Sequence, residues 1–301
     1  MILKRLLLSL TYGTYWIAVA LPGNAAAKAA YGYEAEDRSG DFLYICAGDQ
    51  ARTAPDFLAV IDFEEHSPDY GKVIATVPFP APDATGNEPH HIGISRDGRV
   101  VACGGLLSVL KGQKEIFFFD VSNPRVPKFI SAADPPLSSI TDDFHATPEG
   151  GFLITMMGGP AGHPPGRVVE FNRALHLVKE YPDTPPANGF NPHGISLRPE
   201  INLMVTSDFV CPATTLNMIH GAVDFRGSVR VWDLRRREIM RTVNMPGTVG
   251  TIDVKLIPGD PQPGHTRPGC STISSILSIR NMEPPPLFSV SRRFLLEGGP
   301  S

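Results

Sequence analysis

The feature that most constrains the fold is a histidine-headed pair of strands that occurs three times. Each copy begins with a histidine at the start of a short strand, passes through a polar turn and ends in an apolar, β-rich strand. The copies begin at His91, His145 and His193, at intervals of 54 and 48 residues. Strand repeats with a period of about 40–50 residues are typical of β-propellers, in which each repeat forms one four-stranded blade. The sequence therefore predicts an all-β propeller.

Alternating apolar and polar residues support this prediction along most of the chain. They predict three strands of a first blade within 42–79 and complete blades within 90–134, 144–182 and 192–245. The third strand of each blade ends in an aspartate or asparagine that starts a turn, and a fifth blade begins near Asp253. A β-sandwich would not require a fixed period. We therefore expect residues 28–262 to form a partial propeller of about four blades and one further strand.

The composition limits the partners. The chain is 42% hydrophobic and 19% charged, as in an ordinary globular protein, and its formal net charge is −4. It has no run of basic residues, so nucleic acid is not expected to be a partner.

The N-terminal segment differs from the rest. Lys4 and Arg5 precede an apolar run over residues 6–21, and small residues follow at 25–27. This pattern predicts a secretory signal peptide over residues 1–27, cleaved near Ala27, and a periplasmic protein. A membrane anchor is the weaker alternative, because the run is short and contains polar residues and glycine. No stable membrane insertion is expected after cleavage.

The cysteines allow two interpretations. Cys46, Cys103, Cys211 and Cys270 lack CxxC spacing, so a structural zinc site is not expected. A disulfide is compatible with export, but the sequence does not pair the cysteines. The default expectation for the first three is a buried, apolar thiol.

The repeated histidines predict a metal site. The first strand of each propeller blade lines the central axis, so side chains at one repeated position converge there. Imidazole ligands suit copper, zinc, iron or nickel better than magnesium or calcium. The alternative, histidines that merely hydrogen-bond to the backbone in the channel, stays open. The expected ligands are His90, His91, His145 and His193. Glu88 and Asp253 are candidates for an added ligand or for a partner that orients one. No catalytic residue is assigned.

The segment APDFLAVIDFEEHSPDYGKVIATVPFPAPDATGNEPHHIG resembles the selenium-binding protein family, which includes methanethiol oxidases. RGSVRVWDLRRREIMRTVNM and NLMVTSDF are similar to later blades of that family, and the resemblance extends from about residue 41 to 262. It implies a seven-bladed propeller and a copper-dependent oxidase. Such an enzyme converts methanethiol, O2 and water to formaldehyde, hydrogen sulfide and hydrogen peroxide.

The resemblance also implies particular site residues. His90 and His91 match its double-histidine motif, and His145 matches a histidine in the strand before FLITMM. His193 is supported chiefly by the internal repeat. Vertebrate members carry a cysteine where this chain has Gly71, so selenium attachment through that cysteine is not expected.

Two other functions remain open. A metal-dependent hydrolase of the lactonase type could use the same axial position, although that class favours calcium and carboxylate ligands. A non-catalytic propeller that binds selenium or a metal would be expected to expose aromatic residues on the blade rims, but the chain has only two tryptophans. No GxSxG motif or glycine-rich phosphate loop is present.

The C-terminal segment departs from the repeat. After Gln262 the strand alternation ends, and proline, serine and arginine become frequent. Codons that could encode residues 263–280 can, when read in a shifted frame, encode amino-acid strings similar to those with which family members continue at this point. We therefore expect a frameshifted, aberrant tail over residues 263–301. A ring left open in this way is expected to fold poorly or to bind copper weakly.

Overall fold

The computed structural model describes residues 41–186, 189–216, 223–245 and 250–256, with two short strands in the C-terminal segment. The predicted signal peptide and nearly all of the predicted aberrant tail lie outside the described residues, so both stay predictions. Within the described part of the chain, no helix is long and apolar enough to cross a membrane.

Four of the antiparallel sheets follow one another in chain order, and each is a blade. The first contains β1 (Phe42–Ala47), β2 (Phe57–Asp62) and β3 (Val73–Pro78). The second contains β4 (Pro89–Ile94), β5 (Val100–Gly105), β6 (Ile116–Asp120) and β7 (Lys128–Ala133). The third contains β8 (Ser139–Ala146), β9 (Phe152–Gly158), β10 (Arg167–Phe171) and β11 (Leu177–Tyr181). The fourth contains β12 (Pro192–Arg198), β13 (Leu203–Val210), β14 (Phe225–Asp233) and β15 (Glu238–Asn244).

Short elements complete the described structure. Two 3-10 segments follow β5 and β12, and an α-helix follows β13; these are Ser108–Lys111, Pro199–Ile201 and Pro212–Thr215. In the C-terminal segment β16 (Thr272–Ile273) pairs with β17 (Phe294–Leu295).

The core lies between successive blades. On β6 the buried side chains alternate, as the period of a strand requires. Phe117 and Phe119 pack with residues of the first blade, and Phe118 packs with residues of the third. The innermost strands also contact one another in order, β4 with β8 and β8 with β12. Face-to-face blades around innermost strands are the propeller arrangement, and the predicted all-β propeller is confirmed.

Within the described residues, the first blade begins with its second strand. In every blade the third and fourth strands pair with a register shift next to the same position, at Ile61, Phe119, Phe171 and Trp232. β2 is therefore the third strand of its blade, equivalent to β6, β10 and β14. β1 is accordingly the second strand. The innermost strand of this blade is not among the described residues.

A disulfide joins the first two blades. Cys46 on β1 is bonded to Cys103 on β5, with the two Cα atoms 6.5 Å apart. The expectation of unpaired apolar thiols was wrong for this pair, because strand patterns do not reveal which faces of neighbouring blades meet. Cys211 is a buried free thiol, as expected.

Candidate metal centre

The innermost strands of the second, third and fourth blades each carry a β-bulge at the same register. Pairing skips from Pro89 to Ile92, from Thr141 to Phe144 and from Pro192 to Ile195. In each bulge two residues stand opposite one on the neighbouring strand. Such bulges redirect side chains and are frequent next to functional sites. The bulged pairs are His90 and His91, Asp142 and Asp143, and His193 and Gly194.

The bulges correct the predicted repeat. His91, His145 and His193 were expected at one equivalent position, but His193 corresponds in register to His90 and Asp142. His145 comes after the bulge of β8. The error arose because residues were counted from the hairpin turn. The number of residues between the paired strand ends differs from blade to blade: six in the second, five in the third and four in the fourth.

The bulges bring four potential ligands together. Their ligand atoms, one from each residue, all lie within 4.8 Å of one another; the residues are His90, His91, Asp142 and His193. Oδ1 of Asp142 is 2.9 Å from Nε2 of His91, and Oδ2 is 3.2 Å from Nε2 of His193. Three of the four predicted ligands are therefore neighbours. The fourth predicted ligand, His145, is not part of this group, and its role as a ligand stays a prediction.

The donor set fits a metal ion. Both carboxylate oxygens of Asp142 and the Nδ1 atom of His193 are buried, yet within the described residues none has a partner in hydrogen-bond geometry. The oxygens of Asp142 lie close to two imidazole nitrogens, and within the cluster only a proton on a histidine balances its charge. Burying a carboxylate with so little compensation is costly. A cation between Asp142 and the imidazoles would compensate that charge. Three nitrogens and one oxygen suit a transition metal rather than magnesium or calcium. This cluster can thus hold a metal ion.

The histidines of the cluster differ in how readily they release a proton to make room for a metal. Burial raises the pKa of Asp142, but the charges of His193 and His91 outweigh it and lower that pKa to about 2. Burial lowers the pKa of His90 to about 4 and also lowers that of His193. For His91 burial acts in the same direction, but Asp142 outweighs it and raises the pKa. His90 and His193 are therefore neutral at pH 7, and His91 is the histidine that holds a proton most firmly.

Asparagines anchor two of the bulges. The backbone N–H and the Nδ2 of Asn87 both donate to Oδ2 of buried Asp56, at 2.6 and 3.1 Å. Asn191 donates from its backbone N–H to Oδ1 of Asp208 at 3.0 Å, and from Nδ2 to the carbonyl of Met157 at 2.7 Å. Each asparagine comes shortly before a Pro-His pair. Each bulge is thereby tied to the neighbouring blade or to the adjacent strand.

Glu88 and Asp253, the two predicted supporting residues, face other partners. The carboxylate of Glu88 bonds to the guanidinium of Arg52 at 2.9 Å. Oδ1 of Asp253 is 3.0 Å from Nζ of Lys255, which is also 3.2 Å from Oδ2 of Asp143. We call residues 250–256 the fifth-blade segment. The ion pair between Lys255 and Asp143 joins this segment to the bulge of β8.

His145 lies beside this ion-paired group. Burial lowers its pKa to about 4, with opposing effects from Asp143 and Lys255. Its imidazole is therefore neutral at pH 7.

Sequence reasoning missed Asp142, although part of the required signal is present. Pro89-His90 and Pro192-His193 share a Pro-His pair, and aligning these pairs gives the observed register. In the third blade Thr141 takes the place of proline and Asp142 that of histidine. No residue pattern marks this position, and only the strand pairing identifies Asp142.

Comparison with known proteins gives consistent results. A family model described as 56 kDa selenium binding protein matches residues 20–283. Methanethiol oxidase of Rattus norvegicus is 27% identical over 247 residues, covering 74% of this chain and 50% of the relative. Methanethiol oxidase of Hyphomicrobium sp is 28% identical over 218 residues, covering 67% and 47%. Selenium-binding protein 2 of Mus musculus is 27% identical over 246 residues, covering 74% and 50%.

One solved structure shows the same fold. The X-ray structure of a hypothetical selenium-binding protein from Sulfolobus tokodaii superposes with a TM-score of 0.62 at 19% identity, covering 79% of this chain and 55% of that one. This chain spans about half the length of the curated relatives that it matches.

Proposed function

Because the chain belongs to the 56 kDa selenium-binding protein family, we propose that it carries the metal centre of a copper-dependent oxidase of a small thiol. The reaction converts methanethiol, O2 and water to formaldehyde, hydrogen sulfide and hydrogen peroxide. The observation that carries this proposal is the cluster of His90, His91, Asp142 and His193, in which both oxygens of a buried carboxylate lie within 3.2 Å of imidazole nitrogens.

The donor set supports copper. Imidazole nitrogens bind copper strongly, and a single carboxylate compensates part of the charge. When bound, copper would supply one-electron redox chemistry and would lower the pKa of a coordinated thiol. Relatives named methanethiol oxidase support the choice of substrate. His145 stays a candidate ligand from the sequence.

The residues have different access to solvent. The side chain of Asp142 is fully buried, those of His193 and His91 are 7% and 12% exposed, and His90 is partly exposed. Asp142 therefore forms the innermost part of the centre. Burial of Asp142 keeps its carboxylate out of water, which strengthens its attraction for a cation.

We also propose that the protein acts after export to the periplasm. The disulfide between Cys46 and Cys103 supports this location, because disulfides persist in oxidising compartments and are rare in the cytosol.

The experiment uses the full chain, with copper content and methanethiol-dependent formation of hydrogen peroxide measured on the same sample. His91→Ala and His193→Ala should lose both copper and activity. His176→Ala is the matched control, because His176 is exposed and outside the cluster. Full oxidase activity in copper-free protein would contradict the proposal. Lactone hydrolysis by metal-loaded protein without thiol oxidation would favour a hydrolase instead.

A further inference from the structure

An apolar cluster lies at the edge of the blades where the metal centre is found. It lies at the ends of β5, β9 and β13 and the start of β8, which is also where the bulges occur. Its members come from three blades and include Leu106, Ile140, Met157, Phe209, Val210 and Phe225. We call this group the apolar rim. Several of its side chains are partly exposed. The apolar rim therefore forms part of the surface beside the metal centre in addition to packing the blades together.

Phe209 is the member of the apolar rim that packs against a candidate ligand. Its ring centroid is 5.0 Å from that of His193, with the planes at 81°, an edge-to-face contact. On β13 Phe209 is the single residue between the pairs that Asp208 and Val210 form with β14, and it stands opposite two residues of β14.

Other contacts hold this ring in place. The ring centroid of Phe225 is 5.8 Å from that of Phe209. A Cβ atom added to Gly250 would lie 2.9 Å from the Phe209 ring and 2.8 Å from the Phe225 ring, and Gly250 has a φ of +83°. Glycine therefore allows the backbone of the fifth-blade segment to press on both rings. With His193 on one side and Gly250 and Phe225 on others, Phe209 has little freedom to move.

We propose that Phe209 is the wall of the substrate site and restricts it to short-chain alkyl thiols; this inference rests on the proposed function. A thiol whose sulfur reaches the centre must place its alkyl group next to the centre, and the ring beside His193 offers an apolar surface there. Because the ring is fixed, it accepts a small alkyl group but blocks a longer one. Truncation of the ring would leave an apolar space lined by the remaining rim residues.

The test separates thiol binding from oxidation. The protein is loaded with Zn²⁺, which has no redox chemistry, and dissociation constants are measured by calorimetry for methanethiol and 1-butanethiol. Each additional methylene strengthens binding to an open apolar site. Because Phe209 closes the wild-type site, we expect wild-type protein to bind butanethiol no more tightly than methanethiol. In Phe209→Ala we expect the ratio of the two dissociation constants to shift by about tenfold or more towards butanethiol.

Two further variants serve as controls. Phe209→Leu keeps most of the apolar volume and should shift the ratio less. Phe63→Ala removes a phenylalanine that packs on Tyr70 after the end of β2 and should change nothing. Zn²⁺ affinity should stay within about twofold of wild type in all of them.

An unchanged ratio in Phe209→Ala, with Zn²⁺ still bound, would overturn the inference, as would wild-type protein that binds Zn²⁺ but no thiol. If the ratio shifts as expected but copper-loaded protein forms no hydrogen peroxide, the substrate wall stands and the oxidase proposal fails.

Discussion

Oδ1 of Asp142 lies 2.9 Å from Nε2 of His91, across the boundary between the second and third blades. The two residues are far apart in sequence, and each occupies a β-bulge at the start of an innermost strand. The same carboxylate reaches His193 of the fourth blade through its other oxygen, at 3.2 Å. Asp142, on the third blade, thus links histidines of the second and fourth blades and supplies the only negative charge of the four-residue cluster.

Asp142→Asn should weaken copper binding by at least about tenfold, which corresponds to about 1.4 kcal/mol. The amide keeps the shape of the side chain but removes the charge that attracts the cation. Competition with a chelator of known affinity measures the effect. Asp183→Asn is the control, because Asp183 is largely exposed and pairs with Lys179. Equal copper affinity in wild type and Asp142→Asn would argue against Asp142 as a ligand.

Copper affinity should fall as pH falls. The metal binds the deprotonated imidazole, and Asp142 raises the pKa of His91 in spite of burial, so a proton competes at this residue. Apparent affinity is therefore expected to rise with pH as His91 loses its proton, with proton release on binding. Calorimetry in buffers of different ionisation enthalpy measures that release. A constant affinity between about pH 6 and about pH 8 would contradict the assignment.

Glu115 should make the protein less stable as pH rises. It is buried, its Oε2 accepts the N–H of Ile140 at 3.0 Å, and burial raises its pKa to about 8 from 4.5. Above about pH 4.5 the unfolded chain releases this proton while the folded protein retains it, so the unfolding free energy falls until about pH 8.

Glu115→Gln tests this dependence, because glutamine retains the acceptor but does not ionise. The difference in unfolding free energy between variant and wild type should change by up to a few kcal/mol in favour of the variant as pH rises through this range. Urea unfolding at several pH values measures it. Parallel pH profiles for the two proteins would show that Glu115 is not the cause.

Reduction of the disulfide between Cys46 and Cys103 should lower stability by about 2–4 kcal/mol. The bond closes a loop with a sequence separation of 57 and links two blades. Unfolding with and without reductant gives the difference. The double variant Cys46→Ala, Cys103→Ala should not respond to reductant. A wild type that is equally stable in both conditions would mean that the bond contributes nothing.

The blades were predictable because their signals are local. Strand alternation and the turn-forming residues at the ends of the third strands, such as Asp120 and Asp233, depend on short stretches of chain. The register of the site was not predictable in this way. A bulge adds one residue without altering composition, and so the count that aligned His91 with His193 was displaced by one position. Asp142 and the disulfide depend on packing between blades, which strand patterns do not encode.

The most direct test of the central claim is anomalous X-ray diffraction at the copper absorption edge, from crystals of the copper-loaded protein. The account predicts one strong peak about 2 Å from the imidazole nitrogens of His90, His91 and His193 and from a carboxylate oxygen of Asp142. A copper peak elsewhere in the protein, with these four side chains unligated, would contradict it.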